Sequence, residues 1–153
     1  MARESLFNIL LNRMDLEGLR VLDLFAGTGS IGFEFISRGS AYVEMLEKNY
    51  VHFQHLQKIK HQLSMENLRI IKGDFFQYIR KEHEAFDIVF ADPPFDLAEF
   101  ESIPGLIMNS AILKKNGIHI LEHSARYSFS TLEGYTGTRT YGSVNFSFFE
   151  SLA

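Results

Sequence analysis

Residues 20 to 37 run from a short apolar segment, Arg20 to Phe25, through a glycine turn containing Gly27 and Gly29, into a segment of helical period, Gly29 to Ser37. A strand that feeds a helix this directly returns to the same sheet as a parallel crossover, so this one segment commits the chain to helices packed on parallel strands. The same alternation recurs downstream. Strands are expected at Tyr42 to Glu47, Arg69 to Lys72, Asp87 to Ala91 and Gly117 to Glu122, and helices at Asn49 to Leu63, Phe75 to Glu82 and Leu97 to Leu113. An amphipathic helix from Arg3 to Met14 precedes the first strand, with Leu6, Ile9 and Leu10 at spacings of three and four. After Glu122 the rhythm changes: Thr138 to Tyr141 and Val144 to Phe149 read as a closing antiparallel hairpin. The expected architecture is a doubly wound α/β sheet.

With 153 residues, 46% of them hydrophobic, the chain can bury one core and is too short to divide into two, so residues 1–153 are expected to form one domain. The absence of cysteine excludes disulfides, thiolate catalysis and cysteine-based zinc sites, and fits a reducing cytoplasm. Met1 to Leu11 contains Arg3 and Glu4 and has no apolar stretch of signal-peptide length, so neither secretion nor a membrane is expected. A net charge of -4 argues against a strongly basic nucleic-acid binder, whose affinity comes mainly from phosphate contacts.

Chemistry enters at the end of the first strand, in Asp23-Leu24-Phe25-Ala26-Gly27-Thr28-Gly29-Ser30-Ile31-Gly32. Gly27, Gly29 and Gly32 satisfy the G-x-G-x-x-G pattern that lets a ligand lie against backbone, and Glu47 closes the second strand where a carboxylate accepts ribose hydroxyls. Two ligand classes use this geometry. A dinucleotide would set its pyrophosphate over the helix entrance, where Asp23 repels it. S-adenosyl-L-methionine carries a sulfonium and an ammonium and no phosphate, so the charge pattern favours it. Asp74, after the third strand, reads either as an acceptor for the adenine amine, with Phe75 packing nearby, or as a helix N-cap.

Asp92-Pro93-Pro94-Phe95 follows the fourth strand directly. Two prolines fix the backbone and remove two donors, leaving the Asp92 carboxylate and the Pro93 carbonyl as a rigid acceptor pair. Such a pair grips the hydrogens of a planar amine on a purine or pyrimidine and favours its pyramidal form during attack on a methyl group, while Phe95 stacks on the base.

The D-L-F-A-G-T-G-S turn, Glu47, Gly73-Asp74 and D-P-P-F together resemble the amino-methyltransferases that act on nucleic acids and some proteins. More closely, Arg3-Glu4-Ser5-Leu6-Phe7-Asn8, Ser37-Arg38-Gly39, Glu122-His123 and Tyr141-Gly142 resemble the RsmD-type family, over nearly the whole chain. That resemblance implies a Rossmann-like seven-stranded class I methyltransferase sheet, transfer from S-adenosyl-L-methionine to the exocyclic amine of a guanine in small-subunit (16S) ribosomal RNA, and an assembling ribosomal subunit as partner. It implies that Asp23, Phe25, Ala26, Gly27, Gly29, Glu47, Asp74 and Phe75 bind cofactor, and that Asp92, Pro93, Pro94 and Phe95 form the base site.

Two departures bear on the substrate. Family members usually carry a further basic N-terminal segment, whereas only Met1 and Ala2 precede Arg3, so weakened RNA binding is expected; and Ser143-Val144 stands where relatives commonly have an acidic residue after the glycine. Other targets for the same chemistry are DNA adenine and protein glutamine. Readings of another class are a nicotinamide-dependent oxidoreductase, which Asp23 and D-P-P-F oppose, and a non-catalytic ribosome-assembly module, which an intact Asp92 and Phe95 oppose. His52, His55 and His61 share one expected helix, but no carboxylate or cysteine completes a ligand set and no metal is expected. His123 reads either as a structural strand-end residue or as a neighbour of the substrate.

Overall fold

The computed structural model describes residues 2–152 and contains one seven-stranded sheet of order β3-β2-β1-β4-β5-β7-β6. Its strands are β1 (Arg20–Leu24), β2 (Tyr42–Glu47), β3 (Leu68–Lys72), β4 (Phe86–Ala91), β5 (Leu113–His123), β6 (Tyr135–Tyr141) and β7 (Val144–Glu150). The first five are parallel, and β7 enters antiparallel between β5 and β6, so the expected hairpin closes the sheet.

Helices α1 (Ala2–Arg13), α2 (Ser30–Ser37) and α3 (Tyr50–Gln62) cover one face. Leu6, Phe7 and Leu10 of α1, Phe35 of α2 and Leu56 of α3 pack there with Val21, Met45 and Phe90, and the Phe7 and Phe35 rings meet edge-on at 4.8 Å. The short helices α4 (Phe75–Tyr78) and α5 (Ile103–Met108) cover the other face, where Phe75, Tyr78, Ile103 and Ile107 bury against Leu22, Leu46 and Val89. Each fully buried Leu, Ile or Phe contributes about 1.5–3 kcal/mol, so the helix faces hold the layers together more than helix propensity does.

The structure corrects two expected helices. Leu97 to Leu113 is not one helix: a 3-10 turn at Phe100–Ser102 leads into α5, and Leu113 already belongs to β5. Pro104 is the reason. It lacks an N–H and disfavours helical backbone before it, so it is accommodated only in a first turn, and α5 starts at Ile103. The helix expected over Phe75 to Glu82 stops at Tyr78, whose carbonyl is taken by the Lys81 amide and the His83 ring. Strand β5 begins four residues before Gly117 by pairing Leu113 with Phe86, and an irregular register with Asn116 in the left-handed region absorbs the offset.

The chain winds outward from β1 to β3 and then crosses back to place β4 on the other side of β1. Ligands bind in open α/β sheets at the carboxyl ends of strands where the order reverses. Leu24 is level with Leu46 on one side and Ala91 on the other, and Ala91 is level with Leu121. Phe25, Glu47, Asp92 and Glu122 therefore each lie one residue beyond a common line at that edge.

Candidate active site

The turn after β1 is held by backbone that few side chains tolerate. Phe25, Gly27 and Gly29 have φ of 56°, 56° and 78°, so Phe25 is a non-glycine residue in the left-handed region. Strain of this kind persists only where the surroundings impose it. Here the Ala26 amide is fixed to the Leu46 carbonyl at 3.0 Å and the Gly29 amide to the Ala26 carbonyl at 2.8 Å.

The glycines of this turn divide their work. A Cβ on Gly29 would meet Leu56 and Phe33 at 2.6 Å, and one on Gly32 would meet Met45 at 2.5 Å, so both are required by packing between α2, β2 and α3. Gly27 faces a cavity, with nothing closer than 4.0 Å to its added Cβ. The sequence pattern does not separate a glycine that admits a ligand from one that admits a neighbouring helix.

That cavity encloses about 870 Å³ and runs from Phe25 and Gly27 past Glu47, Asp74 and Phe75 to Asp92, Pro93, Pro94 and Phe95. Asp23, Ala26 and Gly29, named with these from the sequence, do not line it. Lys48, Asn49, His52 and Phe76 also line it and were given no role in ligand binding; Lys48 and Asn49 were findable, since they follow Glu47 directly.

Glu47 organises the floor. One carboxylate oxygen accepts from the Gly27 amide at 2.7 Å and the other from the Asn49 amide at 2.8 Å. The helix-cap reading of Asp74 holds: its Oδ2 caps α4 by accepting from the Phe76 and Gln77 amides, while Oδ1 lies 3.7 Å from the Lys48 ammonium at the cavity wall. The Phe25 and Phe75 rings lie 5.5 Å apart.

Asp23 sits behind the turn, buried, and accepts from the Gly32 amide at 3.0 Å. Burial raises its carboxyl well above the usual carboxylate range; the Gly32 hydrogen bond opposes this, and the nearby Asp92 and Glu47 charges add to it. Asp92 is open to the cleft on one side, yet the walls around it push its carboxyl up to about 6 by desolvation. Burial therefore disfavours the charged forms of both carboxyls.

At the far end of the cavity, Pro93 is buried and Phe95 is 81% exposed, a large apolar ring held in water at the cavity mouth. Among the described residues neither the Asp92 side chain nor the Pro93 carbonyl has a hydrogen-bond partner. The acceptor pair read from the two prolines is thus free. His123 is held in place instead: its Nδ1 meets the Ser124 carbonyl at 2.8 Å and its Nε2 the Ser147 hydroxyl at 2.6 Å, and burial lowers its pKa. Among the described residues no three potential ligands gather around a metal position, and no helix is long and apolar enough to cross a membrane.

Residues 1–150 match the family model described as Conserved hypothetical protein 95. The Ribosomal RNA small subunit methyltransferase D of Buchnera aphidicola (Baizongia pistaciae) is 32% identical over 78% of this chain, and its namesake in Haemophilus influenzae is 30% identical over 97%. The chain spans 61% and 79% of the lengths of those two relatives. Among solved structures, a candidate methyltransferase of Escherichia coli superposes with a TM-score of 0.87 at 25% identity, covering 99% of this chain and 85% of that one. A candidate methylase of Haemophilus influenzae gives 0.84 at 28% identity, covering 99% and 97%. The chain belongs to the RsmD-type family of small-subunit ribosomal RNA methyltransferases.

Proposed function

We propose that this chain transfers a methyl group from S-adenosyl-L-methionine to the exocyclic amine of a guanine in small-subunit ribosomal RNA. The observation that carries the reading is the free acceptor pair, the Asp92 carboxylate and the Pro93 carbonyl, at the mouth of a cavity walled by carboxylates and aromatic rings.

The donor set fits a cationic nucleoside. Glu47, Asp74 and Asp92 line the cavity, so a sulfonium and an ammonium are favoured there and a pyrophosphate is repelled. Each Glu47 oxygen keeps a lone pair for a ribose hydroxyl beyond the amide it already accepts from. Asp74 Oδ1 is available to an adenine amine, Phe25 and Phe75 present apolar surface to the ring, and Gly27 permits close approach. Ala26 and Gly29 contribute by shaping the turn, and Asp23 by anchoring it through Gly32. When bound, the cofactor supplies an electrophilic methyl group on a positively charged sulfur.

A guanine amine is a poor nucleophile because its lone pair is delocalised into the ring. Asp92 and Pro93 accept its two hydrogens, orient the nitrogen and favour pyramidal geometry, while Phe95 and Pro94 hold the base plane. The nitrogen lone pair so directed would take up the methyl group that the bound cofactor supplies. The nitrogen is transiently cationic and sheds one proton to solvent or to Asp92, whose elevated pKa of about 6 makes it competent to accept it.

The names of the similar ribosomal RNA methyltransferases support the substrate. A net charge of -4 supports an assembling subunit, where ribosomal proteins share the work of holding RNA, over naked RNA. Calorimetry tests the cofactor half: S-adenosylhomocysteine binds and NAD does not, and the reverse result refutes the reading.

A further inference from the structure

The register that sets Ala91 beside Leu24 also sets it beside Leu121, so Asp92 leaves the sheet with Glu122 at the neighbouring position of β5. Partners on adjacent parallel strands project from the same face. A second cavity of about 170 Å³ opens there. It shares Asp92, Pro93 and Phe95 with the first, and Phe100, Glu122, His123 and Tyr127 are among the residues that complete it. The Phe100 and Tyr127 rings in its lining stack at 4.5 Å with only 7° between their planes. Glu122 is half-buried in this setting, and among the described residues its carboxylate has no hydrogen-bond or ion-pair partner. A carboxylate withdrawn from water without a protein donor is costly, and a donor on a ligand compensates for it.

We propose that the second cavity receives the target purine and that Glu122 selects guanine by accepting its ring N1–H, beside the amine hydrogens held by Asp92 and Pro93. Guanine presents the N1–H and the 2-amino group along one edge, three hydrogens against three acceptors. Adenine has a bare nitrogen acceptor at that ring position, which a carboxylate repels, and its amine lies on another carbon. Discrimination of this kind is strong because the analogue leaves buried polar groups unpaired. Burial and the adjacent Asp92 charge push the Glu122 carboxyl up to about 7, consistent with an acceptor awaiting a donor. Sequence reading gave Glu122 no role because its position beside Asp92 is set by a strand pairing between residues far apart in the chain.

This inference rests on guanine being the substrate, and its test separates the two ideas. Small-subunit RNA fragments carry at the methylated position either guanine or 2-aminopurine, which keeps the 2-amino group and lacks the N1–H. The wild-type chain prefers guanine in kcat/KM by roughly tenfold to a hundredfold, the scale of a hydrogen bond to a charged group. Glu122→Ala loses rate on guanine only, bringing the two substrates to within about threefold of each other. Glu122→Gln retains an acceptor oxygen and keeps most of the preference. Unchanged binding of S-adenosylhomocysteine by both variants shows that the fold is retained. A guanine preference in Glu122→Ala equal to that of the wild type overturns the role of Glu122 and leaves the methyltransferase reading standing. Failure of the wild type to methylate guanine in any fragment overturns that reading and the inference with it.

Discussion

The Glu47 carboxylate spans two turns at once, accepting from the Gly27 amide at 2.7 Å and from the Asn49 amide at 2.8 Å. It ties the glycine turn after β1 to the start of α3 and closes the floor of the larger cavity. Glu47→Ala leaves two amides without their acceptor, at about 1–3 kcal/mol each where they are shielded from water. The expected outcome is a lower melting temperature together with at least a tenfold weaker affinity for S-adenosylhomocysteine, measured by thermal unfolding and calorimetry.

Gly27→Ala and Gly29→Ala separate ligand approach from packing. At Gly29 a methyl group collides with Leu56 and Phe33 at 2.6 Å, so that variant loses stability, by about 1–3 kcal/mol for an overpacked core position. At Gly27 the added atom meets no protein and faces the cavity, so the larger loss is in cofactor affinity beyond the modest cost of its left-handed backbone. Denaturant unfolding and calorimetry on both variants check this. Equal effects on stability and affinity would contradict the division.

These glycines also mark what was legible in the sequence. The strand, turn and helix order is local, written in apolar runs and glycine punctuation, and the structure has the β-strands and α1 to α3 near where periodicity put them. D-P-P-F was legible because proline chemistry is local too. The break before Pro104, the early start of β5 at Leu113 and the place of Glu122 beside Asp92 depend on pairings across the sheet, which no window of sequence contains. For the same reason the pattern assigned Asp23, Ala26 and Gly29 to a cavity wall that they support from behind.

Asp92 carries the chemistry in this account and leaves cofactor binding to other residues. Asp92→Ala retains affinity for S-adenosylhomocysteine within a few fold, while methyl transfer falls by roughly two orders of magnitude or more, as when a positioning group is removed. Asp92→Asn keeps an acceptor oxygen and loses less. Phe95→Leu, which keeps apolar contact and gives up stacking, also loses less than Asp92→Ala. Single-turnover transfer of labelled methyl alongside calorimetry reads both quantities.

The raised carboxyls of Asp92 (about 6) and Glu122 (about 7) have a sign that stability measurements can follow. A carboxyl whose folded pKa exceeds its unfolded value disfavours the folded state increasingly as pH rises between the two, and by a constant amount above them. Asp92→Asn and Glu122→Gln therefore raise the melting temperature at pH 8 and lose that advantage as pH falls from 7 to 4. Urea unfolding at pH 4, 6 and 8 checks it; stabilisation that is constant with pH would contradict the shifts.

Phosphate attraction is weak for a chain of net charge -4, and unstacking a guanine has to be compensated. Methylation of protein-free RNA is expected to be slow and to fall steeply with salt, and to improve on partly assembled small-subunit particles. Transfer from labelled cofactor at low and physiological salt compares the two substrates.

The most direct test of the central claim is the chemical identity of the product. Small-subunit particles incubated with this chain and S-adenosyl-L-methionine carrying a labelled methyl group are digested to nucleosides and resolved by mass spectrometry. The wild-type chain is expected to place label in N2-methylguanosine, with about a hundredfold less from Asp92→Ala. Label confined to adenine or to protein, or no transfer by a chain that binds the cofactor, would contradict it.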